Sequence, residues 1–331
     1  MQMPILEIPN DASIHTLKNF LQKNSPFSNP YHPAVLQLHK NWAYMDPIAL
    51  TMTAAWGGWC RRSGLCIKVE NMIGPHINYL VRMRLFQHLG VACDLPLKER
   101  EEAGRFVPLT NVRTQADLAA VISNVSALLH LDREPDGLEA VRYCVSELIR
   151  NVLEHSGSSE GAYVCAQRYS EREPKRVSLA VADCGQGLSR HLGNAYPQAR
   201  NNDQEALRLS MQPGITGALK GAYGSPDNAG AGLFITRAIA KATGGYFVLL
   251  SGDAVFRLRR TKAKKGVQLR LYFDAFDEPR SDGWMVGRVW QGTVAAVEII
   301  TERIPNFPDL FKWIRQQIPA KKTAAGRIRF K

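Results

Sequence analysis

Three short patterns stand in a fixed order in the second half of the chain, and together they restrict its fold more than any other feature. The first is Glu147-Leu-Ile-Arg-Asn151. It lies in a stretch from Leu138 to His155 whose Leu138, Val141, Val145, Leu148 and Val152 recur at helical spacing. Residues one turn apart share a helix face, so the carboxylate and the amide point into one space. The second pattern, Asp183-Cys-Gly185-Gln-Gly187, directly follows the strand-like run Val177 to Ala182. A carboxylate in that place can accept a hydrogen bond from an exocyclic amine, and glycines let backbone approach a flat ligand. The third, Gly230-Ala-Gly232-Leu233, opens a helical stretch that runs to Thr243 and is capped by Gly244-Gly245. The free N–H groups and the dipole at such a helix start favour phosphate.

The remaining elements supply a frame. In the first half, Ala34 to His39 reads as a strand and Ile48 to Arg62 as a helix opened by Asp46-Pro47. Cys66 to Val69 reads as a second strand and Ile77 to His88 as a second helix. In the second half, residues 114–130 are helical, Tyr163 to Tyr169 is a strand, and 188–228 is a long polar loop of the functional kind. Strands are expected at Tyr246–Leu250, Val267–Phe273 and Val294–Ile300, with a last helix from Pro305 to Gln317. At about 100–200 residues per domain, 331 residues predict two domains. The expected division is a small α/β domain over 1–95, a charged linker over 96–110, a larger domain over 111–303, and a C-terminal helix with a basic tail over 304–331.

The order Glu-x-x-x-Asn, Asp-x-Gly-x-Gly, Gly-x-Gly-Leu resembles the N, G1 and G2 boxes of the GHKL (histidine-kinase-like) ATPases. That family includes histidine-kinase catalytic domains, anti-sigma-factor serine kinases and gyrase B. The longer string from Glu147 to Ser156 looks most like the anti-sigma and sensor-kinase branch. The resemblance implies an α+β chain whose residues 111–303 form a Bergerat-type α/β sandwich of mixed sheet and helices, with ATP and Mg²⁺ as cofactors. On that resemblance Asn151 would ligate Mg²⁺ and Glu147 would be the general base. Asp183 would read the adenine amino group, and Gly185 and Gly187 would shape its pocket. Gly230, Gly232 and Leu233 would form the phosphate box, with 188–229 as the ATP lid. Lys220 in that lid would either reach the γ-phosphate or remain a solvated lysine. Thr293, in Gly292-Thr293, matches the family's adenine-binding hydroxyl, which makes 253–288 an insertion; Gly266-Val267 has the same strand context without the hydroxyl. His155 is read as structural. The first half resembles a STAS domain, with Ile48 where antagonists of that fold carry a phosphorylatable hydroxyl. Trp56, Trp59 and Met52 on its first helix are read as core.

The formal net charge of +12 attracts polyanions. Part of it is local: Arg257, Arg259, Arg260, Lys262, Lys264 and Lys265 cluster, and the tail adds Lys321, Lys322, Arg327, Arg329 and Lys331. These are either solvated basic segments or a nucleic-acid contact, at residues 257–265 above all; neither run interleaves aromatics as a stacking platform does. There is no apolar run long enough for a membrane span. The six cysteines form no CxxC pair and no secretory leader is evident, which points to reduced thiols and a cytoplasmic protein. Two functions follow. One is an ATPase or a protein serine/threonine kinase acting in a regulatory, stress or defence pathway; no His-Glu phosphoacceptor helix precedes the domain, since 114–130 holds only His130. The other is a nucleotide-gated interaction module with little turnover. Either implies a protein partner and allows a homodimer.

Overall fold

The computed structural model describes residues 4–27, 33–41, 43–74, 76–93, 105–131, 133–171, 174–215, 230–261, 269–304 and 306–318. The chain starts with strands β1 (Ile5–Glu7) and β2 (Asp11–Ala12) and helix α1 (Leu17–Lys23), which sequence reasoning did not find because so few residues show no period. Then come β3 (Ala34–Gln37), β4 (Tyr44–Met45), α2 (Pro47–Arg62) and β5 (Ile67–Glu70). β1, β3 and β5 form a small parallel sheet, while β2 pairs with β4. Asp46 starts α2 as expected: its Oδ1 accepts from the N–H groups of Ile48 (3.1 Å) and Ala49 (3.4 Å), and its Oδ2 from Ile14 (2.7 Å).

The helix expected over Ile77 to His88 is two helices, α3 (His76–Arg82) and α4 (Leu85–Leu89). Arg84 breaks it at a left-handed φ of 60°, and the carbonyl of Met83 leaves the helix to accept from Leu109 N at 3.2 Å. A tertiary bond from the next strand has overridden the local period.

The second half holds β6 (Phe106–Val112), α5 (Gln115–Leu128), α6 (Pro135–His155), β7 (Ala162–Tyr169) and β8 (Arg176–Ala182). These are followed by α7 (Gly187–Leu192), α8 (Asp203–Ser210), α9 (Gly232–Thr243), β9 (Tyr246–Leu258), β10 (Ser281–Ile299) and α10 (Phe307–Gln316). Five strands form one sheet in the order β6-β7-β8-β10-β9, with every neighbouring pair antiparallel. Parallel and antiparallel pairing thus both occur, segregated into separate sheets, and the chain is α+β. Pro108 disguised β6 in the sequence; the strand lies at the sheet edge, where a missing N–H is tolerated, and its register slips between Val107 and Thr110.

Three other expectations are corrected. The stretch 188–215 is not a plain loop: it carries α7, a 3₁₀ turn and α8. The signal for α8 was present, since Asn202 caps it by accepting from Glu205 N at 3.0 Å. Residues 269–273 form no strand; the carbonyls of Tyr272 and Arg270 are taken by Arg237 and Lys241 of α9 instead of by a sheet ladder. The expected insertion 253–288 is in part a continuation of the sheet, because Leu258 pairs with Ser281 and Ala254 with Met285.

Both faces of the five-stranded sheet are buried. Side chains alternate along a strand, so Val177, Leu179 and Val181 of β8 join the core under α5, α6 and α9, while Ala180 and Ala182 join a second core with the N-terminal residues. α2 lies over that second face. Every residue from Pro47 to Gly58 is buried, as a helix apolar all round requires. Met52 and Trp56 are core and Trp59 is partly buried. The polar ties across this contact include Tyr44 Oη to Tyr169 Oη (2.6 Å) and Tyr79 Oη to Gln167 Oε1 (3.0 Å).

A candidate nucleotide site between two helices and a glycine turn

The three sequence patterns converge where α6, the turn after β8, and the start of α9 meet. α6 contributes Glu147 and Asn151. The Asn151 Nδ2 is buried without a hydrogen-bond partner. The Glu147 side chain is 14% exposed, its Oε1 lies 3.5 Å from Arg150 Nη1, and burial pushes its pKa up.

Glu147 is tied to the third pattern by contact. A Cβ on Gly232 would lie 2.3 Å from Glu147 Oε2, so any side chain there would displace the carboxylate. Gly230 turns into the helix at a φ of 79°, and Ala231, at the N-cap, offers no side-chain oxygen to the first N–H groups of α9. Those donors and the helix dipole remain available to an anion beside Glu147. Leu233 is partly buried and packs on the core rather than facing outward alone.

The glycine turn is held from every side. Asp183 is 1% exposed. Its backbone N–H donates to Thr293 O at 2.9 Å, and its Oδ1 accepts from Gly185 N at 2.6 Å. Its Oδ2 is buried with no partner. Burial pushes the carboxyl up to about 7, opposed by the backbone N–H groups of Gly185 and Thr293. Gly185 leaves no room for a side chain: a Cβ would lie 2.2 Å from Ser156 O. The Gly185 carbonyl accepts from Gln291 Nε2 at 2.5 Å, and Gln186 N donates to Ser156 O at 2.8 Å. Gly187 begins α7 at a φ of 75°.

Thr293 stands beside Asp183 on β10, with Val294 opposite Ala182 and Thr293 opposite Ser251. Gly292, at a φ of 90°, is forced by the same contact, since a Cβ there would come within 2.2 Å of Asp183 O. Ser251 was not found from sequence, where it is one serine in an apolar strand. It accepts from Leu188 N (2.9 Å), donates to Gly292 O (3.1 Å) and lies 3.4 Å from Thr293 Oγ1, thereby joining α7 to the Gly-Thr strand. Gly266-Val267 and Lys220 lie outside the described residues, as do residues 216–229 of the lid and Lys262, Lys264 and Lys265 of the basic cluster. His155 stacks on His191 at 4.7 Å, and its carbonyl accepts from Gln186 Nε2 at 2.8 Å. A cleft of about 500 Å³ opens on the outer side of α7, lined by Gly187, Arg190, Arg200 and Gly292 among others.

An orphaned buried carboxylate oxygen, flanked by glycines and set apart from an uncapped helix start by a carboxylate and an amide, fits a nucleotide with an amine at one end and phosphates at the other. The comparison with known families agrees. Residues 112–245 match the family model of the histidine kinase-like ATPase domain. No curated protein matches the chain. Among the described residues no helix is long and apolar enough to cross a membrane, and no group of three or more His, Cys, Asp or Glu is placed to hold a metal ion.

Proposed function

We propose that the chain binds Mg–ATP in this site and hydrolyses it or transfers its γ-phosphoryl group to a protein. The observation that carries the reading is the pairing of two unmet needs: Asp183 Oδ2 lacks a donor, and the start of α9 lacks an acceptor. Asp183 would accept from the adenine amine, with Gly185, Gly187 and Thr293 around the base. Gly230, Gly232 and the first N–H groups of α9 would meet the phosphates, and Lys220 of the lid is proposed to approach the γ-phosphate. Asn151 is the proposed ligand of a hard cation through its side-chain oxygen, and its buried, unpaired Nδ2 is left free to donate to a ligand oxygen. Mg²⁺ there would supply charge neutralisation for the phosphates. Glu147, with its pKa raised by burial, is the proposed general base that orients a water or a protein hydroxyl. Phosphoryl transfer needs chiefly such positioning and neutralisation.

A second reading is a nucleotide-gated interaction module. The N-terminal unit covers the sheet face opposite the site, and Arg150 engages Glu147. The STAS-like reading of that unit is supported by its parallel strands and by the Asp46 helix, with Ile48 in place of a hydroxyl. A protein partner, a homodimer, nucleic-acid contact through 257–265, and a cytoplasmic setting with unpaired thiols at all six cysteines belong to the proposal too. Phosphate release with and without Mg²⁺, beside labelled γ-phosphoryl transfer, separates the readings. Turnover that Glu147→Ala abolishes while ATP affinity stays supports the enzyme; ATP binding with no turnover in the unaltered protein supports the module.

A further inference from the structure

A side chain of the N-terminal unit reaches the nucleotide site. At the C-terminal end of α2, Arg62 Nη2 donates to the carbonyl oxygen of Cys184 at 3.0 Å. The Cys184 thiol in turn donates to Ala55 O of the same helix at 2.9 Å. Cys184 O and Gly185 N belong to one planar peptide group. That same group's N–H donates to Asp183 Oδ1 at 2.6 Å. A cation on the oxygen therefore fixes the plane that anchors the carboxylate, and it polarises the amide so that its N–H is a stronger donor. With Oδ1 held this way, Oδ2 is the oxygen left buried and unpartnered.

We propose that Arg62 is a positioning residue of the nucleotide site: through the Cys184–Gly185 peptide it orients the Asp183 carboxylate toward the exocyclic amine of an adenine. The first half of the chain is then part of the base-recognition machinery and not only a cover for the sheet. Arg62 does not touch the base; it acts on the discrimination between an amine and a carbonyl at that position of the purine. This inference rests on the nucleotide reading proposed above.

The test uses the full chain and two ligands, ATP and inosine triphosphate, which differ in having an amine or a carbonyl at that ring position. Arg62→Met keeps the aliphatic stem and removes the donors, while Arg62→Lys restores a cation. Arg62 is exposed on its other sides, so both variants are expected to fold with melting temperatures near that of the unaltered protein. Arg62→Met should weaken ATP roughly fivefold to tenfold, as loss of one partly exposed charge-assisted bond implies. It should leave inosine triphosphate unchanged, and Arg62→Lys should recover most of the ATP affinity. Equal weakening of both ligands, or ATP affinity in Arg62→Met equal to that of the unaltered protein, overturns the proposal and leaves the Asp183 reading standing. Absence of ATP binding in the unaltered protein removes the nucleotide reading itself.

Discussion

Replacing Gly292 by alanine separates backbone strain from packing at the glycine turn, with Gly287 as an internal control. Both glycines lie on β10 at positive φ, 90° and 73°. Around Gly287 an added Cβ meets nothing within 4 Å. Around Gly292 it would lie 2.2 Å from Asp183 O, 2.7 Å from Asp183 C and 2.8 Å from Asp183 Oδ1. The first two are backbone atoms and cannot swing away. Left-handed backbone costs a residue with a Cβ roughly 1–2 kcal/mol, so Gly287→Ala should lose about that much. Gly292→Ala adds overpacking of about 1–3 kcal/mol, for a total of roughly 2–5 kcal/mol. Urea denaturation reads the difference as a fall in midpoint at constant slope. ATP affinity should fall in Gly292→Ala alone, because the displaced atoms belong to Asp183. If the two variants lose equal stability, the contact between the Gly-Thr strand and the glycine turn is not as described.

Further outcomes follow from two buried carboxyls. Asp183 is raised to about 7 in the folded protein, and an amine donor needs its ionised form. A group near 7 is about one-tenth ionised at pH 6 and nine-tenths at pH 8, so the ratio of ATP to inosine triphosphate affinity should rise about tenfold across that range; a flat ratio would remove Asp183 from base recognition. In the ligand-free protein the sign is opposite: a raised carboxyl pKa favours the folded state when protonated, so this contribution is fully present below the ordinary pKa of 3.8 and is lost as pH climbs through about 7. Asp46→Ala strips α2 of its cap (about 1 kcal/mol) and leaves the buried N–H of Ile14 unpaired (about 1–3 kcal/mol). A loss of about 2–4 kcal/mol in urea is expected, and one under about 0.5 kcal/mol would mean the cap is replaced by water.

The candidate site was more legible in the sequence than its surroundings. Glu147, Asn151, Asp183, Gly185 and Gly232 were marked as candidates because each stands at a fixed offset on, or directly after, an element with a clear period, and the fold then brings the three patterns near one another. Helices α2, α5, α6 and α9 were visible for the same reason. What escaped depends on contacts distant in sequence. The helix near residue 84 breaks because β6 takes the Met83 carbonyl, and 269–273 is no strand because Arg237 and Lys241 take its carbonyls. Ser251, Gln291 and Arg62 serve the glycine turn through single hydrogen bonds, each from 63 to 122 residues away along the chain, which no local pattern marks.

ATP binding at Asp183 is the central claim. Calorimetric titration of the full chain with ATP in the presence of Mg²⁺, beside Asp183→Asn, tests it most directly. Gly185 N–H would keep the asparagine oxygen on its own side and turn the NH₂ group toward the base amine, donor against donor. Saturable binding by the unaltered protein that weakens at least about tenfold in Asp183→Asn is the predicted result. Folded protein that gives no ATP binding, or an Asp183→Asn variant that binds ATP as tightly as the unaltered chain, would contradict it.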